Sequence, residues 1–234
     1  MPIPEIKISR AEQALIKNLV AHYVKNRSFI EVMLKQVSDA ILGSPKLLAH
    51  VHSTKGRLKE PDHLEEKLFR KLAEAKGKKR PFTISQKNLF YKINDLAGFR
   101  ILHLHTEQIV SINRELLAVF DEYRFPLFEK PKARTWDDET REFFRCSGIQ
   151  PIKSPTMYTS VHYVVQSNSS TRATCEIQVR TLAEELWGEV DHTMNYPHKS
   201  SVLSCREQIK VLARVTSSCS RLVDSIFRSA ESGS

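Results

Sequence analysis

A carboxylate, an amide and a guanidinium group follow one another at every second position of one short segment. Glu176, Gln178 and Arg180 alternate with apolar residues, and a period of two places alternate side chains on opposite faces of a strand. We therefore predict a half-buried strand over residues 174–181 that carries these three polar groups on one face. The pattern alone leaves two interpretations open, which are a ligand-binding site and the solvated face of a structural sheet.

A second strand is predicted over residues 158–166, upstream of the turn-forming segment 167–171. If the hairpin is centred on Ser169, antiparallel counting gives three opposed pairs. These pairs are His162 with Glu176, Ser160 with Gln178, and Tyr158 with Arg180. All six side chains then share one face, whereas a slip of one residue would distribute them over both faces. This concentration of donors, an acid and an aromatic ring favours a functional site.

Helical patterns follow and precede this hairpin. Thr181 begins a capping box, and apolar residues then recur at helical spacing until the chain reaches Pro197. Two further capping boxes, beginning at Ser9 and Ser28, predict a pair of helices near the start of the chain. The segment 200–228 is predicted to form one more helix, which either covers the domain or pairs with a second copy.

A basic region precedes the hairpin by about a hundred residues. A polar segment rich in cations, residues 52–61, leads into a predicted helix that ends at Gly77. Fixed Lys and Arg side chains near the start of a helix suit phosphate groups, although each of them also suits a solvated helix face. The cations between Lys76 and Arg80 are predicted to lie in a mobile loop.

Asp95 stands at the entry of another predicted strand, which is followed by a helix capped by Thr106. His103 and His105 share one face of that strand and have no companion ligands, so we expect them to be buried rather than to bind a metal. The segment 121–154 shows no clear periodicity, and a connection of this length is usually functional or mobile.

Composition and charge limit the classes to which the chain can belong. It has 234 residues, of which 41% are hydrophobic and 27% charged, and these values allow a full hydrophobic core. A net charge of +9 fits a nucleotide, nucleic-acid or membrane-surface partner, and it also fits a basic protein without one. No apolar run reaches membrane-spanning length and no leader pattern is present, so we expect a cytoplasmic protein without a membrane partner. The four cysteines lack C-x-x-C spacing, which predicts reduced thiols.

Four segments of the chain occur in a recognisable order. They are Gly56-Arg57-Leu58-Lys59 with the basic helix after it, Asp95-Leu96-Ala97-Gly98-Phe99-Arg100, Tyr158-Thr159-Ser160-Val161-His162, and Glu176-Ile177-Gln178-Val179-Arg180-Thr181 continued through Trp187 to Tyr196. In this order they resemble the synthetase domain of the RelA/SpoT family, and most closely its short, single-domain alarmone synthetases. The resemblance covers roughly residues 50–200.

The resemblance implies an α+β fold in which helices flank a mixed sheet of about five strands, related to that of nucleotidyltransferases. Helical extensions at both ends of the chain would complete this synthetase fold. The corresponding domain boundaries are a helical lead-in at residues 1–48, the synthetase domain at 49–200, and a C-terminal helix and tail at 201–234.

The resemblance also implies a pyrophosphokinase, which moves the β,γ-pyrophosphate of ATP to the 3′-hydroxyl of GDP or GTP and releases AMP. By similarity, Asp95 and Glu176 are the catalytic residues and bind Mg²⁺, whose preference for hard oxygen ligands suits carboxylates. Glu176 could also orient or deprotonate the attacking hydroxyl. The implied ATP-binding cations are Arg57, Lys59, Lys67, Arg70 and Lys71. The implied acceptor-binding residues are Tyr158, His162, Lys153, Gln178 and Arg180.

The chain departs from the family pattern mainly on the acceptor side. The family sequence N-P-K-P-N-G-Y-R-S-L-H stands here as Ile152 to His162, so the Asn-Gly pair is absent, Thr159 replaces an arginine, and Lys153 lies one position early; His63 replaces a family serine in the basic helix. Two alternatives therefore stay open. One is a toxic relative that pyrophosphorylates another acceptor, such as the tRNA 3′ end or an adenosine nucleotide, and the other is a catalytically degenerate module that binds nucleotide or RNA. The sequence also leaves open homo-oligomerisation, an antitoxin partner and delivery to other cells.

Overall fold

One mixed sheet runs through the protein and is flanked by helices. In the computed structural model, which describes residues 8–195 and 200–232, this sheet contains six strands. They are β1 (Ser53–Leu58), β2 (Ala97–His103), β3 (Leu127–Thr135), β4 (Gln150–Lys153), β5 (Ser160–Gln166) and β6 (Thr174–Thr181). The helices of the described residues are α1 (Arg10–Lys25), α2 (Arg27–Leu42), α3 (Pro45–Leu48), α4 (Pro61–Gly77), α5 (Leu89–Lys92), α6 (Gln108–Glu122), α7 (Asp138–Cys146), α8 (Leu182–Asn195) and α9 (Leu203–Ser232). The predicted α+β fold is confirmed, with one strand more than expected.

The strands follow the order β1-β2-β6-β5-β3-β4 across the sheet. β6 lies near the middle, parallel to β2 and antiparallel to β5. At one edge β1 pairs antiparallel to β2, and at the other β4 runs parallel to β3. β2 and β6 are parallel neighbours, and Glu176 of β6 pairs with Gly98 of β2. Asp95 lies just before β2, so it is at the same end of the sheet as Glu176.

The predicted register of the β5–β6 hairpin is wrong by two residues. His162 lies opposite Gln178 rather than Glu176, which lies opposite Val164, and Tyr158 precedes β5, outside the paired residues. The turn differs because the Ser167 hydroxyl accepts a hydrogen bond from the backbone N–H of Ala173 (3.1 Å), which closes a wider loop. A shift of two residues keeps every side chain on its original face, so the polar residues still share one face.

The largest hydrophobic core is formed by the sheet together with α1, α2, α4 and α6. α1 begins with the predicted capping box, in which Ser9 and Glu12 each accept a hydrogen bond from the other's backbone N–H. The box predicted at Ser28 is wrong, since α2 already begins at Arg27. Asn26, which alone separates the two helices, donates its side-chain amide to a carbonyl oxygen of α1 instead.

A second, smaller apolar cluster lies between α8, α9 and the loop before β5. Trp187, Ile209 and Ala213 are buried in it, and Met157 and Tyr158 pack against them. The loop that carries the predicted acceptor-binding tyrosine is therefore in contact with the C-terminal helix.

Several remaining predictions concern the ends of elements. The capping box at Thr181 is confirmed and begins α8, whereas the predicted helix end near Pro197 lies outside the described residues. The segment 121–154, for which no structure was predicted, forms all of β3, α7 and β4. In the described part of the chain, no helix combines the length and the apolar character needed to cross a membrane.

Candidate active site

A cleft of about 350 Å³ lies over one face of the sheet, between α4 and α8. The predicted site residues that line it are Arg57, Lys59, Lys67, Arg70, Asp95, Tyr158, Gln178 and Arg180. It is also lined by residues that were not assigned a role from the sequence, namely His63, Arg100, Thr156, Trp187, Gly188, Asp191, His192 and Asn195. The structure thus brings most of the predicted ATP-side cations and acceptor-side residues into one cavity.

Asp95 is held between two lysines in this cleft. Its carboxylate oxygens accept hydrogen bonds from Lys59 Nζ (2.9 Å) and Lys67 Nζ (2.7 Å). Burial alone would raise the pKa of the Asp95 carboxyl, but the two ammonium groups together lower that pKa well below its ordinary range. Burial lowers the pKa of Lys59, and the charge of Asp95 opposes this effect. Asp95 is therefore ionised at neutral pH and holds two cations.

Glu176 lies at one end of a chain of hydrogen bonds that begins at Tyr158. Tyr158 Oη and His162 Nε2 are 3.1 Å apart, and His162 Nδ1 and Glu176 Oε1 are 3.0 Å apart. Gln178 Nε2 donates to the other oxygen of Glu176 at 2.8 Å. Burial and the charge of Asp95 act to raise the pKa of Glu176, but the interactions with His162 and Gln178 outweigh them and lower it. Glu176 is therefore an ionised carboxylate in a fixed orientation.

Gly98 makes room for Arg57. The two residues lie opposite each other in the β1–β2 pair, and a Cβ atom on Gly98 would lie 3.4 Å from both Cγ and Nε of Arg57. The Arg57 side chain thus passes closely over the backbone of β2 before it reaches the cleft.

Two arginines share one carboxylate beside the cleft. Glu185 of α8 forms ion pairs with both Arg180 and Arg100, and Arg100 Nη1 lies 2.7 Å from Glu185 Oε1. Glu189, one turn later in α8, also pairs with Arg100. The Arg180 guanidinium carbon lies 5.7 Å from the centre of the Tyr158 ring, a distance suited to a cation–π interaction. Arg100 and Glu185 belong to the recognised motifs, but helical spacing does not reveal which strands α8 covers.

Lys71 and Lys153 lie outside this cleft. Lys71 borders a separate groove with Lys78 and Arg80, and burial, together with the nearby charge of Lys67, lowers the pKa of Lys71. Lys153 is the exposed last residue of β4, the strand at one edge of the sheet. The other cations predicted for ATP line the cleft directly.

The chemistry of Asp95 and Glu176 fits a magnesium ion. Mg²⁺ usually takes one or two protein carboxylates and completes its coordination with phosphate oxygens and water. Both carboxylates are ionised, and they lie close enough for the charge of Asp95 to act on Glu176. Within residues 8–195 and 200–232, no three His, Cys, Asp or Glu side chains form a group that could hold a metal ion. A metal here would therefore depend on ligands from bound phosphate.

Comparison with solved structures supports the same fold. Small alarmone synthetase 1 from Bacillus subtilis, bound to its product pppGpp, superposes with a TM-score of 0.57 at 22% identity, over 92% of this chain and 98% of that chain. The same synthetase bound to AMPCPP gives a TM-score of 0.54 at 18% identity, over 92% and 99% of the two chains. A GTP pyrophosphokinase family protein from Streptococcus pneumoniae gives 0.55 at 17% identity, over 93% and 95%.

Comparison at the level of sequence families gives a direct assignment. No significant match is found among curated proteins. The family model for the region found in RelA/SpoT proteins, however, matches residues 56–201, a span that includes all the lining residues of the cleft and more than half of the chain. The resemblance predicted from the four motifs is confirmed, and the chain belongs to the RelA/SpoT family.

Proposed function

We propose that the protein is a pyrophosphokinase that transfers the β,γ-pyrophosphate of ATP to the 3′-hydroxyl of GDP or GTP. The observation that carries this proposal is a cleft lined by four cations, by Asp95 and by Tyr158, in which Tyr158 is linked through His162 to the ionised Glu176. Membership of the RelA/SpoT family supports it. The ligands of the similar B. subtilis synthetase, pppGpp and AMPCPP, belong to the nucleotide classes that such a reaction requires.

The cations of β1 and α4 would hold the triphosphate of ATP. Arg57 and Arg70 present guanidinium groups to the cleft, and Lys59 and Lys67 present ammonium groups. Transfer of a phosphoryl-type group depends on in-line positioning and on stabilising charge at the non-bridging oxygens. Fixed cations in a partly buried cleft supply this stabilisation without reorganising during the reaction.

In the reaction, the 3′-oxygen of the acceptor bonds to the β-phosphorus of ATP while the bond from that phosphorus to the α,β-bridging oxygen breaks. AMP leaves with the bridging oxygen, and the hydroxyl proton passes to Glu176 and then to solvent. The lowered pKa of Glu176 makes it a weak base, so we assign it to orienting the hydroxyl and accepting the proton late. Mg²⁺ held by Asp95 and Glu176 would neutralise charge on the phosphate oxygens.

Tyr158 and His162 would recognise the acceptor. The Tyr158 ring lines the cleft and can stack on a base, while its hydroxyl is oriented by His162. If His162 is the neutral imidazole that donates to Glu176 through Nδ1, its Nε2 accepts a hydrogen bond from the Tyr158 hydroxyl. The same chain of contacts would therefore align the acceptor base with the carboxylate that orients its hydroxyl.

A second candidate acceptor is the tRNA 3′ end or an adenosine nucleotide, and one observation favours it. Thr159, which stands where the family pattern has an arginine, is 6% exposed, and its Oγ1 lies 3.0 Å from Thr135 Oγ1. The chain therefore directs no cation from this position towards an acceptor. An acceptor that is recognised without this contact fits the observation.

The two proposals for the acceptor can be distinguished by incubating the purified protein with labelled ATP and, in turn, with GDP, GTP, an adenosine nucleotide or tRNA. The proposal predicts a labelled guanosine product, heavier than its acceptor by one pyrophosphate group, and one AMP for each product molecule. Label on tRNA or on an adenosine nucleotide alone would change the acceptor and retain the chemistry. Binding of nucleotide without any AMP release would replace the enzyme by a binding module.

A further inference from the structure

A glycine in the middle of α8 lies at the point where Arg180 reaches this helix. Gly188 belongs to the 14-residue segment Leu182–Asn195, and a Cβ atom placed on it would lie 2.6 Å from Arg180 Nη1 and 3.4 Å from Arg180 Cζ. Glycine is unfavourable in a helix interior, so its presence there is accounted for by this close approach. The backbone of α8 thus passes directly against the guanidinium group.

The surroundings of Arg180 leave it little freedom to lie elsewhere. Its side chain is 3% exposed and pairs with Glu185, one turn before Gly188. Its Nε is buried and has no hydrogen-bond partner among the described residues. The guanidinium carbon lies 5.7 Å from the centre of the Tyr158 ring. Because Arg180 is almost fully buried, it acts on a bound acceptor mainly through Tyr158.

Tyr158 connects this contact to the catalytic carboxylate. Its ring is tilted against Trp187 with the ring centres 6.5 Å apart, and its hydroxyl is linked through His162 to Glu176. A displaced guanidinium group would remove one of the contacts that fix the ring. The orientation of the ring that faces the acceptor therefore depends on the backbone of α8.

We propose that Gly188 is a positioning residue for the acceptor nucleotide. The missing side chain lets Glu185 hold Arg180 against the Tyr158 ring, and the ring is thereby set for the acceptor base. This inference rests on the proposed function and extends it, because it adds α8 to the elements that recognise the acceptor and leaves ATP binding to β1 and α4. A substitution at Gly188 should accordingly change the KM of the acceptor and leave the KM of ATP nearly unchanged.

Gly188→Ala tests the inference in a protein that is expected to fold. The new methyl group meets the terminal Nη1 of Arg180 rather than backbone atoms, and alanine favours the helix. We expect the KM of the acceptor to rise about tenfold, which corresponds to ~1.4 kcal/mol, while the KM of ATP stays within about twofold. Leu186→Ala is the control on the same helix, because Leu186 is 56% exposed, and it should change neither KM.

A double-mutant cycle tests the physical cause. Lysine at position 180 has no Nη1 to meet the new methyl group, so Gly188→Ala should add less than about a twofold change in the Arg180→Lys background. The inference is overturned by an unchanged acceptor KM in Gly188→Ala, by an equal rise in the KM of ATP, or by fully additive effects in the cycle. If the wild-type protein transfers pyrophosphate to none of the acceptors, the proposed function is rejected, and the acceptor role of Gly188 is rejected with it.

Discussion

At the scale of single residues, Asp95 is the counter-ion of two lysines that would otherwise repel each other. The side chains of Asp95, Lys59 and Lys67 are 13%, 11% and 21% exposed. Asp95→Asn keeps the shape of the side chain and removes its charge. We predict a loss of about 2–4 kcal/mol in the free energy of unfolding and a fall of more than about a hundredfold in transfer rate. Chemical denaturation and the rate of AMP release measure these two effects.

A matched control separates this role from a general effect of losing a charge. Asp39 pairs with Lys35, but both side chains are well exposed, so Asp39→Asn should cost less than about 0.5 kcal/mol. Addition of ATP should restore more stability to Asp95→Asn than to the wild type, since its phosphates supply the missing negative charge. Equal losses of stability in the two variants would contradict the assignment of Asp95 as a buried counter-ion.

The buried carboxyl of Glu184 should make the stability of the protein depend on pH. Burial raises the pKa of its carboxyl from 4.5 to about 7. Between these two pH values the carboxyl is protonated in the folded protein and ionised in the unfolded chain. Stability associated with Glu184 is therefore present below pH 4.5 and lost as the pH rises through 7. Glu184→Gln keeps a capping acceptor and should be more stable than the wild type at pH 8 by on the order of 2 kcal/mol. Equal stability differences between the two proteins at pH 5 and pH 8, measured by denaturation, would disprove this.

The placement of individual candidate residues was predictable where their types alternate with apolar neighbours or belong to the recognised motifs. Alternation located Glu176 and Gln178 on one face, and the motifs located Asp95. The positions of Gly188 and Glu185 relative to Arg180 were not predictable, because they depend on how α8 lies over the sheet. A sequence pattern gives the buried face of a helix and not the strands that this face covers.

At the scale of elements, the two strands of the segment 121–154, β3 and β4, were not predicted because their sequences lack a regular pattern. β3 contains Pro131, and only Ala133 and Thr135 of its nine residues are buried. Its pairing with β5 is interrupted by two shifts in register. Such a strand has no regular alternation of polar and apolar residues. The four-residue β4 is too short to show a period of its own.

α9 is fixed to the remainder of the fold by Asp224. This buried carboxylate accepts a hydrogen bond from the Glu107 backbone N–H at 3.0 Å and lies 3.1 Å from His105 Nδ1. The ring of Phe227, one turn later, stacks on His105 with the ring centres 4.4 Å apart. His103 and His105 are both buried, as predicted. The polar contacts of Asp224 thus hold the second half of α9 against the loop after β2.

We predict that Asp224→Ala partly releases this helix. The substitution leaves the Glu107 N–H and His105 without their partner, which should cost about 2–3 kcal/mol. Limited proteolysis should then cleave within α9 faster than in the wild type. Glu207→Ala serves as the control, because Glu207 pairs with Lys210 on the exposed side of the same helix. Indistinguishable cleavage rates for wild type and Asp224→Ala would show that Asp224 does not hold α9.

At the scale of the whole molecule, the residues outside the family match belong to the same structure as the site. α1 and α2 contribute to the core beneath the sheet, and the Tyr23 hydroxyl of α1 donates to the backbone oxygen of the cleft residue Lys59 at 2.6 Å. α9 packs against the cluster that includes Tyr158. The helices before and after the matched region therefore support opposite sides of the cleft.

Charge at this scale is consistent with anionic substrates. The net charge of +9 is accompanied by four cations that line the cleft near Asp95, namely Arg57, Lys59, Lys67 and Arg70. Composition alone could not assign this excess to a site, because a solvated basic surface gives the same total. Only the fold shows that these cations share a cleft with Asp95 and that two of them, Lys59 and Lys67, bond to its carboxylate.

In the proposed reaction, Glu176 is the carboxylate that orients the acceptor hydroxyl. The most direct test compares AMP release in a single turnover, with enzyme in excess over ATP and the acceptor saturating, in the wild type, Glu176→Gln and the control Glu122→Gln, whose side chain is exposed at the end of α6. We predict that Glu176→Gln releases AMP at least about a thousandfold more slowly, while Glu122→Gln matches the wild type. AMP release by Glu176→Gln at the wild-type rate would contradict the central claim.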